Sequence, residues 1–163
     1  MLRISGTVNE STVDGPGFRY VIFTQGCPHH CKGCHNPQTW NFDGGILVDI
    51  NVLLDEIKRN KLLSGVTFSG GEPFMQPKEL TNIAKEVHKM GLNVISFTGF
   101  VYEDLLKMDE DILELLRNID ILIDGPFIEE LHNLKLYFRG SSNQRFIDVK
   151  KSLEQGKTIE IEL

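Results

Sequence analysis

The sequence of 163 residues contains only three cysteines, Cys27, Cys31 and Cys34, and they all lie within one stretch of eight residues. An odd number of cysteines cannot pair fully into disulfides, so a disulfide framework is not expected. Because a fourth cysteine is lacking, a site in which four thiolates hold one zinc ion is excluded as well. The cluster of thiols therefore indicates metal binding or catalysis in a reducing compartment.

The sequence also lacks an excess of positive charge and long apolar runs. Its 17 lysines and arginines stand against 23 acidic residues, a formal net charge of −6, whereas proteins that bind nucleic acid present a basic surface. No apolar run approaches the length of about 18 residues that a membrane-spanning helix needs, and the first residues do not resemble a signal peptide. We therefore expect a cytoplasmic protein with no nucleic acid and no membrane partner.

No internal repeat or linker-like stretch divides the chain. With 40% hydrophobic and 25% charged residues, its composition is ordinary for a globular protein. The length suits one hydrophobic core. Residues 1–163 are therefore predicted to form a single domain.

Apolar runs typical of strands alternate with helical patterns along most of the chain. The strands are predicted at Tyr20–Thr24, Val66–Phe68, Val94–Phe97 and Ile119–Ile123. Helices are predicted around Leu53 to Ile57, from Pro77 to Gly91, and from Glu103 to Arg117 with an interruption near Met108. This alternation predicts βα units around a parallel sheet.

The predicted fold class is α/β, and more narrowly a partial (β/α) barrel. A complete eight-fold barrel takes about 250 residues, so this chain is long enough for only part of one. Past Gly125 the pattern changes: Leu134–Phe138 and Thr158–Leu163 alternate apolar with polar residues. That alternation predicts two further strands at an edge of the sheet or in a hairpin.

Loops that contain cysteine or glycine follow three of the predicted strands directly. The cysteine stretch follows the first strand, Gly70 and Gly71 follow the second, and Thr98 with Gly99 follows the third. Ligands bind at the C-terminal ends of parallel strands. The three loops are therefore predicted to form one composite site.

The cysteine stretch allows two kinds of metal site. One is a structural zinc site in which His29, His30 or His35 supplies the fourth ligand. The other is a [4Fe–4S] cluster in which three thiolates hold three irons and the fourth iron stays open for a ligand that is not protein. Zinc sites usually draw two separated pairs of ligands together, whereas all the candidates here crowd into nine residues, which favours the cluster.

A second motif, Ser69-Gly-Gly-Glu-Pro73, supports this interpretation. Two adjacent glycines let the backbone approach a ligand closely. Together with C-x3-C-x2-C, the motif resembles the radical SAM superfamily, in which three cysteines hold a [4Fe–4S] cluster and S-adenosylmethionine chelates the open iron. The resemblance implies that the metal ligands are Cys27, Cys31 and Cys34, and that the residues contacting the amino group of the cofactor are Gly70, Gly71 and Glu72.

Further segments narrow the resemblance, which covers nearly the whole chain. Asp14-Gly-Pro-Gly-Phe-Arg19 and Cys34-His-Asn-Pro-Gln-Thr-Trp40 are similar to the glycyl-radical activating enzymes. Arg139-Gly-Ser-Ser-Asn-Gln-Arg145 resembles the activating enzymes of anaerobic ribonucleotide reductase in particular. Gly33 departs from the superfamily, where an aromatic residue is common, so packing against adenine is not assigned to it; the narrower family shares this departure.

The resemblance implies a function and a mechanism. A reductant of the flavodoxin or ferredoxin type reduces the cluster, and S-adenosylmethionine is cleaved to methionine and a 5′-deoxyadenosyl radical. That radical takes a hydrogen atom from a backbone glycine of the large subunit of anaerobic ribonucleotide reductase. The alternatives are an activator of another glycyl-radical enzyme, such as pyruvate formate-lyase, and a non-enzymatic zinc-binding interaction module.

Further residues are expected at the site on looser grounds. Ser96 and Thr98 lie at the end of the third strand, where the family places polar groups near the ribose, although capping of a strand end explains them equally well. Asp124 ends the fourth strand at the same edge, where it could bind cofactor or cation, or cap a turn. Arg139, with Arg145, could donate to the cofactor carboxylate or to a partner loop, or belong to a polar hairpin connection.

The histidines near the cysteines are expected to differ in their surroundings. His29 and His30 are predicted to face solvent or a partner surface. His35 and Asn36 are better placed to donate hydrogen bonds to the sulfurs of a cluster, which would tune its reduction potential.

Overall fold

A seven-stranded mixed sheet organises the computed structural model, which describes residues 1–163. In chain order the strands are β1 (Leu2–Ser11), β2 (Arg19–Thr24), β3 (Ile46–Val48), β4 (Gly65–Gly70), β5 (Asn93–Phe97), β6 (Ile121–Asp124) and β7 (Arg145–Asp148). Their order across the sheet is β3-β1-β2-β4-β5-β6-β7. The four central strands, β2, β4, β5 and β6, run parallel, and β1, β3 and β7 pair antiparallel with their neighbours.

Four of the five helices lie where the apolar periodicity predicts them, and the last one was not predicted. They are α1 (Ile50–Arg59), α2 (Pro77–Lys89), α3 (Tyr102–Leu105), α4 (Glu110–Arg117) and α5 (Val149–Gln155). The interruption predicted near Met108 is confirmed, since α3 and α4 are separate and the Asp109 carboxylate caps α4 by accepting from Ile112 N at 3.1 Å. None of these helices has both the length and the apolar character needed to span a membrane.

The helices pack on one face of the sheet. Successive strand residues point to opposite faces, so Tyr20 and Ile22 of β2 join Phe68 of β4 and the buried side of α2 in the main apolar core. The other face carries a smaller cluster built on Ile95, Ile123 and Phe146. Because β3 and β7 form two separate edges, the sheet does not close. The predicted α/β class is confirmed, in the form of an open partial barrel.

Arg19, at the start of β2, is fully buried on the face of the sheet that points away from the helices. Its guanidinium donates to Thr67 Oγ1 at 2.7 Å and to the Val66 carbonyl at 2.9 Å, and burial lowers its pKa to about 10. A Cβ on Gly15 would lie 2.7 Å from the Arg19 Cδ atom, so a side chain there would collide with it. Arg19 therefore joins the start of β2 to β4.

The prediction of a strand at Leu134–Phe138 is wrong. These residues form consecutive turns and bends, beginning with a turn in which the Asn133 side chain accepts from Lys135 N at 2.9 Å. Leu134 is 89% exposed and Phe138 has a φ of 61°, a value that a strand does not contain. The apolar and polar residues that alternate in this segment therefore belong to a loop and do not point to the two faces of a sheet.

The strand predicted at Thr158–Leu163 is present only as a single bridge. The segment lies along the outer edge of β7, with Asp148 N donating to Ile159 O at 2.9 Å and Ile161 N donating to Phe146 O at 2.8 Å. The strands β1 and β3 were not predicted, and β7 was anticipated only through the hairpin connection considered for Arg139 and Arg145. In β1 the register shifts beside Gly6, which interrupts the alternation, and β3 is only three residues long.

Candidate functional site

A cavity of about 370 Å³ lies at the end of the sheet where β2, β4 and β5 terminate. Side chains and backbone from all three predicted loops line it. They are Cys27, Cys31 and Cys34 from the first loop, Ser69, Gly70 and Gly71 from the second, and Thr98 and Gly99 from the third. The structure therefore brings the three loops together at one place, as the parallel strand order requires.

The cysteines belong to a loop, residues 25–40, that we call the cysteine loop. Backbone hydrogen bonds close its base: Gly26 N donates to Thr39 O at 2.7 Å, and Cys27 N donates to Trp40 O at 3.1 Å. A further backbone bond, from Cys34 N to Cys31 O at 3.1 Å, forms the turn between the last two cysteines. Backbone contacts therefore hold the loop, and the three side chains remain free to bind.

The three thiols differ in exposure. Cys27 is 8% exposed, and burial, followed by the nearby Glu72 carboxylate, raises the pKa of its thiol. Cys31 and Cys34 are partly exposed, and Asn36 N donates to the Cys34 Sγ atom at 3.4 Å. The backbone of Asn36 thus occupies the position expected for a donor to a cluster sulfur, whereas the His35 ring packs against Phe127 with 5.0 Å between centroids.

The donor set fits a cluster held by three cysteines. No three histidine, cysteine or acidic side chains converge on a point where they could hold one metal ion. A [4Fe–4S] cube takes each thiolate on a different iron, so its ligands do not need to converge on one atom. Three free thiols around one cavity are compatible with that arrangement.

Gly70 and Gly71 allow the end of β4 to lie against the start of the cysteine loop. Gly70 has a φ of 97°, and a Cβ on it would lie 2.4 Å from Thr24 N. A Cβ on Gly71 would lie 2.4 Å from Gly26 O. Two backbone bonds of 2.8 Å use this proximity, from Gly71 N to Thr24 O and from Glu72 N to Gly26 O. Both glycines line the cavity, so their backbone can still contact a ligand.

The Glu72 side chain does not line the cavity. It is fully buried, and its carboxylate accepts from His29 Nε2 at 2.7 Å, from Thr98 Oγ1 at 2.9 Å, from Gly99 N at 2.7 Å and from Phe74 N at 3.0 Å. All these donors belong to the loops at this end of the sheet. The carboxylate that was expected to contact the cofactor is therefore engaged in holding the loops to one another.

His29, which was predicted to face solvent or a partner surface, is instead turned inward. Its side chain is only 17% exposed, because Nε2 is turned toward Glu72 and the ring packs edge-on against Phe100 at 4.5 Å between centroids. His30 does face outward and stacks on Trp40, with 4.6 Å between ring centroids. The neighbouring histidines therefore lie in different environments on the same loop.

Ser96 and Asp124 point away from the cavity. Ser96 shares its strand face with Val94, and Asp124 shares its face with Leu122, and both of these apolar residues belong to the core on the helical side. Both polar residues are fully buried. The expectation that they line the site is not supported, because their strand positions direct them to the opposite face. Thr98, beyond the end of β5, does line the cavity.

The Asp124 carboxylate is used within the fold. It accepts from Tyr102 N at 2.7 Å, at the start of α3, and from two nitrogens of Arg145 at 2.6 and 3.0 Å. Arg145 also pairs with Glu103 at 2.7 Å, and Glu103 accepts from the hydroxyl of Thr158. This network joins β6, β7 and α3, which favours a structural role for Asp124 and Arg145.

The same network predicts a pH dependence of stability. Hydrogen bonds from Arg145 are the main cause that lowers the pKa of Glu103 from 4.5 to about 2. The folded state therefore keeps this carboxylate charged in a range where the unfolded chain protonates it, so the stabilisation is present above pH 4.5 and is lost as the pH falls toward 2. Because the Glu103 side chain is 49% exposed, screening limits the contribution to no more than about 1 kcal/mol.

Urea unfolding at several pH values between 2 and 6 checks this expectation. Glu103→Gln is expected to flatten the dependence of the free energy of unfolding on pH in this range, while Glu154→Gln, an exposed control on α5, leaves it unchanged. An identical pH dependence in Glu103→Gln and in the unmodified protein would contradict the assignment.

A loop between β6 and β7, residues 125–144, forms a further side of the cavity, and Arg139 is the one lining residue of this loop that was expected at the site. The loop contributes several lining residues, among them Phe127, His132, Leu134, Leu136, Phe138 and Arg139. Arg139 donates to Gln144 O at 2.6 Å and lies over the Phe146 ring, and its Nε atom is buried without a partner. The turn at Asn133, where the side chain accepts from Lys135 N, was the signal that this segment is a loop.

Comparison with known proteins agrees with this site. Residues 13–147 match the family described as a 4Fe-4S single cluster domain. The anaerobic ribonucleoside-triphosphate reductase-activating protein of Enterobacteria phage T4 is 34% identical over 139 residues, which cover 82% of this chain and 85% of that protein. The pyruvate formate-lyase-activating enzyme of Clostridium pasteurianum is 39% identical over 129 residues, which cover 74% of this chain and 54% of that enzyme.

Among solved structures, that of QueE from Escherichia coli is similar over 60% of this chain and 52% of its own, with a TM-score of 0.44 and 22% sequence identity. The family match spans the cysteine loop, the double glycine and the loop between β6 and β7. The chain therefore belongs to the 4Fe-4S single cluster domain family and to the family of anaerobic ribonucleoside-triphosphate reductase-activating proteins.

Proposed function

We propose that this protein activates an anaerobic ribonucleoside-triphosphate reductase by generating a glycyl radical on its large subunit. The observation that carries the proposal is the single cavity shared by the three cysteines, the Gly70–Gly71 backbone and Thr98. The phage relative with the name of such an activator matches over 85% of its own length. A radical SAM oxidoreductase needs this combination of a three-thiolate cluster site and an adjoining cofactor site.

The residues of the cavity divide between two cofactors. Cys27, Cys31 and Cys34 would hold one [4Fe–4S] cluster, and the Gly70–Gly71 backbone and Thr98 would bind S-adenosylmethionine. When bound, the two cofactors supply the reductive cleavage that yields a 5′-deoxyadenosyl radical. Arg139 is the cationic side chain among the cavity residues, and its buried, unpartnered Nε atom suits the carboxylate of the cofactor.

The protein itself contributes binding, orientation and access. The closed base of the cysteine loop presents the thiols to the cavity, and the burial of Cys27 keeps water from one of them. Because the sheet does not close, the cavity at the ends of the strands can admit a loop of a large protein substrate. We propose that residues 1–163 act as one domain in the cytoplasm and receive electrons from a reductant of the flavodoxin or ferredoxin type.

An activator of pyruvate formate-lyase is the second candidate, because one such enzyme is 39% identical to this chain. The matched residues cover only 54% of that enzyme, whereas they cover 85% of the phage relative that is named as an activator of the reductase. This difference favours the reductase.

The proposal is tested by a mixed anaerobic assay. The reconstituted protein, S-adenosylmethionine, a chemical reductant and the candidate reductase are combined, and electron paramagnetic resonance reads the glycine-centred radical. We expect a radical on the reductase, release of 5′-deoxyadenosine, and about four iron and four sulfide per chain.

Pyruvate formate-lyase serves as the parallel substrate in the same assay. A radical on it and none on the reductase would favour the second candidate. One zinc per chain and no 5′-deoxyadenosine would instead support the zinc-binding module.

A further inference from the structure

One buried carboxylate connects the loops that surround the cavity. Glu72 follows β4, and its donors come from the cysteine loop through His29 and from the loop after β5 through Thr98 and Gly99. His29 and Glu72 are 43 residues apart in sequence. None of the donors is a lysine or an arginine, so the position of this carboxylate depends on hydrogen bonds and not on a fixed cation.

Within this group, His29 supplies the side-chain contact between the cysteine loop and Glu72. The Glu72 Oε1 atom also lies within hydrogen-bond distance of Gly99 N at 2.7 Å and of the Thr98 hydroxyl at 2.9 Å. An ionised carboxylate only accepts hydrogen bonds, so the His29 tautomer that makes this contact carries a proton on Nε2.

The position of the His29 ring is fixed on two sides. Phe100 packs against it with an interplanar angle of 75°. On another side, a Cβ on Gly99 would lie 2.4 Å from the His29 Cδ2 atom, so only glycine leaves room for the ring. Gly99 has no unusual φ angle to explain its presence, which leaves the close approach of the imidazole as the reason for it.

We propose that the His29–Glu72 hydrogen bond sets the distance between the cysteine loop and the loops after β4 and β5, so that His29 positions the S-adenosylmethionine site and is not a metal ligand. The inference rests on the proposed function, because it concerns the cofactor of that site. The Gly70–Gly71 backbone and Thr98 line the same cavity as the cysteines. A cofactor that contacts both sides is therefore sensitive to the distance between them.

Removal of the donor should weaken cofactor binding without removing the metal. A buried acceptor that loses its partner is costly, so the loops are expected to shift until Glu72 finds water or another donor. The thiols and the backbone bonds that close the cysteine loop remain in such a variant. The expected loss is about tenfold in affinity for S-adenosylmethionine.

The experiment compares three variants. His29→Leu removes the donor, His29→Gln restores an N–H donor on a side chain of similar reach, and His30→Asn is the control. His30 lies on the same loop but makes no hydrogen bond to Glu72, and asparagine tolerates its φ of 48°. For each reconstituted protein, iron and sulfide are counted and the dissociation constant for S-adenosylmethionine is measured by equilibrium dialysis.

We expect His29→Leu to keep its iron and sulfide while the dissociation constant rises about tenfold. His29→Gln and His30→Asn are expected to stay within about threefold of the unmodified protein. An unchanged dissociation constant in His29→Leu overturns the inference, and so does a loss of iron that His29→Gln does not restore, because the histidine would then act on the metal site.

A second measurement uses the protein without cofactors. The Glu72 amide, which donates to Gly26 O at 2.8 Å, forms the neighbouring bond between the same two loops. Its hydrogen exchange is expected to be about tenfold faster in His29→Leu and unchanged in His30→Asn; equal exchange in all variants overturns the inference. Failure of the unmodified protein to bind iron or S-adenosylmethionine contradicts the proposed function instead, and the exchange measurement still decides whether His29 holds the loops.

Discussion

Replacement of Cys31 by alanine is expected to abolish the iron–sulfur cluster and the activation of the reductase while leaving the protein folded. With two thiolates, the cube loses a ligand on one iron and is no longer held. The fold should survive because the main apolar core contains none of the cysteines, and because the base of the cysteine loop is closed by backbone bonds. The same result is expected for Cys27→Ala and Cys34→Ala.

Iron and sulfide analysis after anaerobic reconstitution checks this expectation, together with the radical yield on the reductase. Both should fall to background, while the melting temperature of the cluster-free protein changes little. Lys32→Ala is the matched control, since Lys32 lies between two of the cysteines and its side chain is 85% exposed. A cysteine variant with a full complement of iron and normal radical yield would show that the assigned ligands are wrong.

Replacement of Gly71 by alanine is expected to remove both the cluster and the cofactor site. The new Cβ would lie 2.4 Å from Gly26 O and 3.0 Å from Thr39 O. These two backbone atoms belong to the first and the last part of the cysteine loop, where its base is closed. Real contacts of this kind do not occur, so the loop must move. A role in cofactor contact alone would predict a variant that keeps its cluster and loses only affinity for S-adenosylmethionine.

Iron content and cofactor affinity of Gly71→Ala separate these two roles. We expect iron to fall below half of the stoichiometric amount, about four per chain, and cofactor binding to become undetectable. Gly6→Ala is the control, because a Cβ there meets no atom within 4 Å and the residue has no positive φ. Full iron content in Gly71→Ala would mean that the cysteine loop tolerates the displacement and that the glycine serves the cofactor only.

The position of the site could be predicted from the sequence, because loops after parallel strands must meet at one end of the sheet. The sequence could not show which face of each strand the site uses. In β5 both Val94 and Ile95 are fully buried and apolar, since a central parallel strand is covered on both faces. Ser96 and Asp124 were therefore assigned to the site by their place at a strand end, although they point to the helical side.

The contacts of Glu72 could not be predicted for a different reason. Its partners His29 and Thr98 are 43 and 26 residues away in sequence, and their contact depends on the order of three strands. Nothing in the local pattern distinguishes His29 from His30, yet one is turned inward and the other outward. In the loop from Gly125 to Gln144, residues Leu134–Phe138 were predicted as a strand because apolar and polar residues alternate there, so their place beside the cavity was missed.

The separation of the core from the cysteine loop has a consequence for exposure to oxygen. Many small zinc-binding domains unfold when their metal leaves, because the metal takes the place of a core. Here the main apolar core lies between the helices and the sheet and contains no cysteine. The base of the cysteine loop is closed by backbone hydrogen bonds from Gly26 to Thr39 and from Cys27 to Trp40, which do not involve a metal. We therefore expect oxidative loss of the cluster to leave a folded protein that can take up iron and sulfide again.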